Sequence, residues 1–135
     1  MVIDTMVFAY ALLGVEQYRE TALEVLKKAE SIVVPDTVRA ELANVLWQWV
    51  QRAGTDAATA YEIMEDAEAL FTQVVSSQAL WPQALTFSIE QDHPVYDTLF
   101  VTAAEQHNMR VVTFDQRMRA RFPEQTLEAG EYLSL

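Results

Sequence analysis

Four acidic residues stand where solvation alone would not put them. Asp4 follows Val2-Ile3 directly, and Asp115 ends the run Val111-Val112-Thr113-Phe114 in the same manner. Asp97 falls in the first turn of an apolar helical stretch, and Glu41 in the second turn of another. At about 100° per residue, Asp97 shares a side with Phe100, Val101 and Ala104, so a charge heads a core-facing stripe. Glu41 lies between Val38 and Val45 on the margin of its own stripe, with Asn44 one turn on as a polar neighbour. Both acids then point toward strand ends rather than outward. Carboxylates converging in this way cannot all stay ionised without a counter-charge. Mg²⁺ or Mn²⁺ supplies one, since hard divalent ions take oxygen ligands and keep several waters. Such a site suits hydrolysis of phosphate esters, with a carboxylate left to orient or deprotonate the attacking water. Zinc is disfavoured: the chain has no Cys, and its two His, His93 and His107, lack ligand spacing. His93 reads as the end of a loop before Pro94.

The elements that must position these acids are legible from pattern. Met1–Ile3, Ser31–Val34 and Arg110–Phe114 read as short buried strands. Helical patterns cover Glu16–Glu30, Asp36–Arg52 with Asp36 as its N-cap, Asp56–Val75, Pro82–Gln91 and Val95–His107. Strands alternating with helices, each strand a nearly continuous apolar run, predict a parallel sheet covered on both faces. The expected fold is a three-layer α/β domain with a short parallel sheet flanked by helices. In a parallel sheet the strand C-termini share one edge, where Asp4 and Asp115 would meet the starts of the helices carrying Glu41 and Asp97.

The 135 residues, 51% of them apolar, fit one domain spanning residues 1–135. With no Cys there is no disulfide framework, and a reducing, cytoplasmic setting is the simpler expectation. No segment approaches the ~20 apolar residues that span a bilayer. The apolar start resembles a signal peptide, but it carries Asp4 and has no positive charge before Arg19, so it belongs to the fold. A formal charge of −11 argues against broad electrostatic capture of nucleic acid, though not against an enzyme that recruits divalent cations. Four of the nine basic residues, Arg110, Arg117, Arg119 and Arg121, surround Asp115. The last three read equally as contacts for substrate phosphates or as a solvated helix face. Trp47, Trp49 and Trp81 read as packing against the core or a partner.

These segments, in this order, resemble the PIN-domain nucleases, particularly the small toxins of the VapC type. Val-Ile-Asp4-Thr5 resembles the family's opening strand motif, and Pro35-Asp36-Thr37-Val38-Arg39-Ala40-Glu41 the segment with its second acid. Val95-Tyr96-Asp97-Thr98-Leu99 is similar to the helix with the third, and Thr113-Phe114-Asp115 to the T-x-D element with the fourth. The resemblance implies that Asp4, Glu41, Asp97 and Asp115 form the catalytic, metal-binding acidic site, with Thr113 as a polar support. It also implies Mg²⁺- or Mn²⁺-dependent cleavage of RNA, a homodimer, and an antitoxin partner that holds the toxin inactive. Met6 departs from the small hydroxyl residue common at that position.

Two other readings compete. A catalytically degenerate PIN-fold module that binds a protein partner would accommodate Met6 and the strong negative charge. A phosphatase with an aspartyl nucleophile would need a lysine at the site, and the only lysines, Lys27 and Lys28, lie on an early helix.

Overall fold

The computed structural model describes residues 1–135. Five strands form one wholly parallel sheet: β1 (Val2–Ile3), β2 (Val33–Pro35), β3 (Gln73–Val75), β4 (Val111–Thr113) and β5 (Thr126–Glu128). The spatial order is β3-β2-β1-β4-β5. The chain winds outward from β1 through β2 to β3, then returns to place β4 on the opposite side of β1. That reversal opens a crevice beyond the carboxyl ends of β1 and β4, the place where sheets of this kind bind ligands.

Eight helices complete the fold: α1 (Thr5–Leu13), α2 (Arg19–Lys28), α3 (Val38–Arg52), α4 (Ala57–Leu70), α5 (Ser77–Gln91), α6 (Val95–Gln106), α7 (Gln116–Arg121) and α8 (Ala129–Leu133). On one face α6 lies against β1, β2 and β4, with α5 packed on it; α1, α2 and α8 form the other layer. The main core gathers Val2, Ile3, Phe8, Val33, Val34, Phe100, Val101, Val111 and Val112, all essentially solvent-free. A second cluster of Ala9, Leu42, Leu46, Ile63 and Ala67 fastens α3 and α4 to α1. The expected three-layer α/β architecture is therefore the one observed. No helix is long and apolar enough to cross a membrane.

Several elements differ from the expectation, each for a local reason. The apolar start is a two-residue strand followed by α1, whose Thr5, Val7, Phe8, Ala9 and Ala11 are all buried. A helix covered by neighbours on most sides shows no amphipathic period to read. The helix expected from Glu16 begins at Arg19, after turn bonds from the Tyr18 and Arg19 amides to the Val15 carbonyl. Asp36 is not an N-cap. Its Oδ2 accepts from the Ser77 amide (3.0 Å) and hydroxyl (3.4 Å), tying the entry of α3 to the start of α5. α3 starts instead after Thr37, which brings Glu41 into its first turn.

The helix expected over Asp56–Val75 ends at Leu70, where extended Phe71 sets its ring against Phe8 at 5.3 Å. Gln73–Val75 then pairs with β2 as β3. α5 starts at Ser77, capped by Ser76, so Pro82 lies inside the helix rather than at its head. α7, β5 and α8 are too short to give a periodic signal. Trp47 and Trp81 are exposed, at 54% and 60%, so neither packs in the core.

Candidate active site

The crevice at the sheet reversal is a cleft of about 450 Å³, and all four acids line it. β1 delivers Asp4, which caps α1 and is buried at 7% exposure. Asp4 Oδ1 accepts from the Thr5 amide at 2.8 Å, and Oδ2 from the Thr113 hydroxyl at 2.6 Å. The Thr113 oxygen accepts in turn from the Asp115 amide at 3.0 Å. One wholly buried hydroxyl thus couples the acids that follow the two central strands. Asp115 caps α7, its Oδ1 accepting from the Arg117 and Met118 amides at 2.8 and 3.0 Å.

Glu41 reaches the cleft from α3. Thr5 donates its hydroxyl to Glu41 Oε2 at 3.2 Å, while Oε1 is buried with no hydrogen-bond partner. Asp97 enters from α6, and His93 Nε2 meets its Oδ2 at 2.8 Å. His93 itself is buried, with Phe122 edge-on to its ring at 5.7 Å.

Burial and mutual repulsion mark these carboxyls. Asp4 is pushed up to about 6, chiefly by desolvation and then by Asp97 and Asp115, against the opposing Thr113 bond. Glu41 is pushed up to about 7 by desolvation and by the charge of Asp4. Desolvation raises Asp97 as well, with His93 and Arg117 holding it down. No three His, Asp or Glu side chains are gathered tightly enough to ligate one ion as they stand. The acids share an open cleft rather than a closed coordination shell, as repelling carboxylates must. The donor set fits a hard divalent ion nonetheless: it is all oxygen, and the partnerless Oε1 of Glu41 is a buried acceptor facing like charges.

Asp4, Glu41, Asp97, Asp115 and Asn44 are thus brought together, with Thr113 directly behind them. Arg117, Arg119 and Arg121 do not line the cleft; only Arg117 bears on it, through its charge on Asp97. Arg110 is spent on the Pro123 and Thr126 carbonyls. Met6 lines the cleft with an apolar side chain, and the hydroxyl that reaches an acid there belongs to Thr5. Sequence reasoning missed Thr5, His93 and the aromatic residues Tyr10, Tyr18 and Phe114, which also line the cleft or hold its acids. The position of Thr5 beside Asp4 was a usable signal. Nothing in the spacing of His93 to Asp97 was, because the helix begins only at Val95.

Comparison with known proteins agrees with this architecture. The PIN domain profile matches residues 1–121. The chain is similar to Ribonuclease VapC3 of Pyrobaculum aerophilum, 26% identical over 125 residues, covering 91% of this chain and 95% of that protein. The crystal structure of PAE2754 from Pyrobaculum aerophilum superposes with a TM-score of 0.76 at 18% identity, over 98% of this chain and 85% of that one. A toxin–antitoxin complex from Klebsiella pneumoniae contains a chain that matches with a TM-score of 0.68 at 15% identity, over 95% and 96% of the two chains. With the profile running from the first strand to the last residue of α7, this protein belongs to the PIN domain family.

Proposed function

We propose that the chain is a Mg²⁺- or Mn²⁺-dependent endoribonuclease that hydrolyses RNA phosphodiester bonds, acting as the toxin of a toxin–antitoxin pair. The observation that carries the reading is the convergence of Asp4, Glu41, Asp97 and Asp115 on one cleft, with Glu41 Oε1 buried and unpaired. The similarity to a protein named Ribonuclease VapC3 supports the ribonuclease activity, and the likeness to a chain of a toxin–antitoxin complex supports the pairing.

Asp4 and Asp97 would hold the ion, with Asp115 and Glu41 at its margin. When bound, such an ion polarises a phosphate oxygen, lowers the pKa of water and balances developing charge. Thr113 fixes the direction of the Asp4 carboxylate. His93 holds Asp97 through Oδ2, acting as a positioning residue. Glu41, with its carboxyl near 7 and Oε1 unpaired, is suited to take a proton from the attacking water at neutral pH. Cleavage of RNA that depends on added Mg²⁺ and vanishes in Asp97→Asn is the expected result; metal-independent cleavage, or full activity in that variant, overturns the proposal.

The antitoxin needs a surface. An all-apolar groove of about 260 Å³ between α3 and α4, with Trp47, Tyr61 and Met64 exposed at its rim, suits a protein partner. The same groove is the one observation favouring the rival reading of a non-catalytic binding module. The metal-dependent cleavage assay separates the two.

A further inference from the structure

The metal chemistry leaves one side of the cleft unexplained. Tyr10 from α1, Tyr18 from the α1–α2 loop and Phe114 from the end of β4 form an aromatic wall beside the acids. Tyr10 and Tyr18 are stacked, their centroids 4.4 Å apart and their planes 20° from parallel. Phe114 stands against both, at 5.3 Å and 68° to Tyr10 and at 5.2 Å and 57° to Tyr18. None of the three rings belongs to the fully buried core; all are half-buried. Turn bonds from the Tyr18 and Arg19 amides to Val15, at 3.0 and 2.8 Å, hold the loop that carries Tyr18. The wall and the acids also share one electrostatic neighbourhood. After burial and Tyr18, the charges of Asp4 and Asp115 keep the Tyr10 hydroxyl from ionising at its ordinary pH.

We infer that this wall is a stacking platform for one unpaired nucleobase next to the scissile phosphate. The inference deepens the ribonuclease reading and rests on it for the reaction, although stacking can be measured without cleavage. The physical need is plain. A chain of net charge −11 has little electrostatic hold on a polyanion, so affinity must come from a group indifferent to charge. Aromatic stacking is such a group, because every base offers a π-face. Tyr10 stacks on Tyr18, and both rings line the cleft, so a base entering it can join the aromatic cluster. A base within a duplex cannot reach it without leaving its pair.

The test uses a short mixed-sequence single-stranded RNA carrying 2-aminopurine at successive positions, titrated with the full chain in Ca²⁺ while cleavage is followed separately in Mg²⁺. The expected result is quenched fluorescence at one position and no quenching in the duplexed RNA. Affinity should fall about 5- to 100-fold in Tyr18→Leu and be retained in Tyr18→Phe. RNA made abasic at the quenched position should bind the unaltered protein more weakly by the same factor, and lose nothing further with Tyr18→Leu. The abasic RNA on the unaltered protein removes any dependence on how well a variant folds. Equal quenching of single strand and duplex, no quenching at all, or additive effects of the abasic site and Tyr18→Leu would show that the wall merely packs α1 against β4. Quenching without Mg²⁺-dependent cleavage keeps the platform and removes the nuclease; cleavage without quenching does the reverse.

Discussion

At the scale of single residues, the cleft holds its acids at a cost in stability. Glu41 keeps a carboxyl half out of water with one oxygen unpaired, an arrangement that costs free energy once the group ionises. Glu41→Gln should therefore raise the stability of the metal-free protein at about pH 8 by roughly 1–3 kcal/mol, read by urea denaturation, while cutting RNA cleavage at least 100-fold. A variant that loses both stability and activity would mean that Glu41 is structural. Thr113→Val is expected to behave oppositely. It strips the buried donor from Asp4 Oδ2 and the acceptor from the Asp115 amide, so stability should fall by about 1–3 kcal/mol together with cleavage. The four acids were legible because each follows an apolar run or heads an apolar stripe. Their partners were not: Thr5 meets Glu41 across 36 residues of chain, and His93, four residues from Asp97, stands before the helix begins and so outside any helical pattern.

At the scale of elements, short strands and a proline mark where pattern misleads. β3 was absorbed into the helix before it because a three-residue strand adds only Gln73, Val74 and Val75 to a pattern already running. Pro82 looked like a helix start, since proline is favoured in a first turn and disfavoured further in. Here it is the sixth residue of α5, exposed, and cannot donate to the carbonyl one turn back. Pro82→Ala should consequently raise the melting temperature, by an amount equivalent to about 1–2 kcal/mol after the looser unfolded chain is allowed for. A lower melting temperature would show that the ring's packing outweighs the missing bond. α6, by contrast, was read almost to the residue: Leu99, Phe100, Val101, Ala103 and Ala104 form a run that only a buried helix accommodates.

At the scale of the whole molecule, the site makes stability depend on pH, and the proposed ion would enter the same balance. Asp4 and Glu41 ionise near 6 and 7 in the fold, above their ordinary values of 3.8 and 4.5. In that interval the folded chain holds protons that the unfolded chain has released, so stability is greatest below the ordinary values and declines as pH rises through the folded ones. The metal-free melting temperature should thus drop between about pH 5 and pH 8, and Mg²⁺ should restore more at the higher pH, where the carboxylates are free to bind it. Calorimetric scans with and without the ion check this; a metal effect independent of pH would detach the ion from these two acids. Strand order was beyond reach of the sequence for a physical reason. Any of the Val-rich runs can neighbour any other, and only the helix packing decides that β1 lies between β2 and β4.

β5 lies past residue 121, where the family profile stops, yet it pairs with β4 through Val111, Val112 and Thr113. Lys28 fastens the C-terminal end of the chain by donating to the Tyr132, Leu133 and Leu135 carbonyls. A protein shortened to the matched region would keep every acid and still leave a row of unsatisfied amides and carbonyls along the strand that aims Thr113. Such a bare edge invites other chains to pair with it, so the trimmed form should cluster into aggregates before its chemistry could be measured.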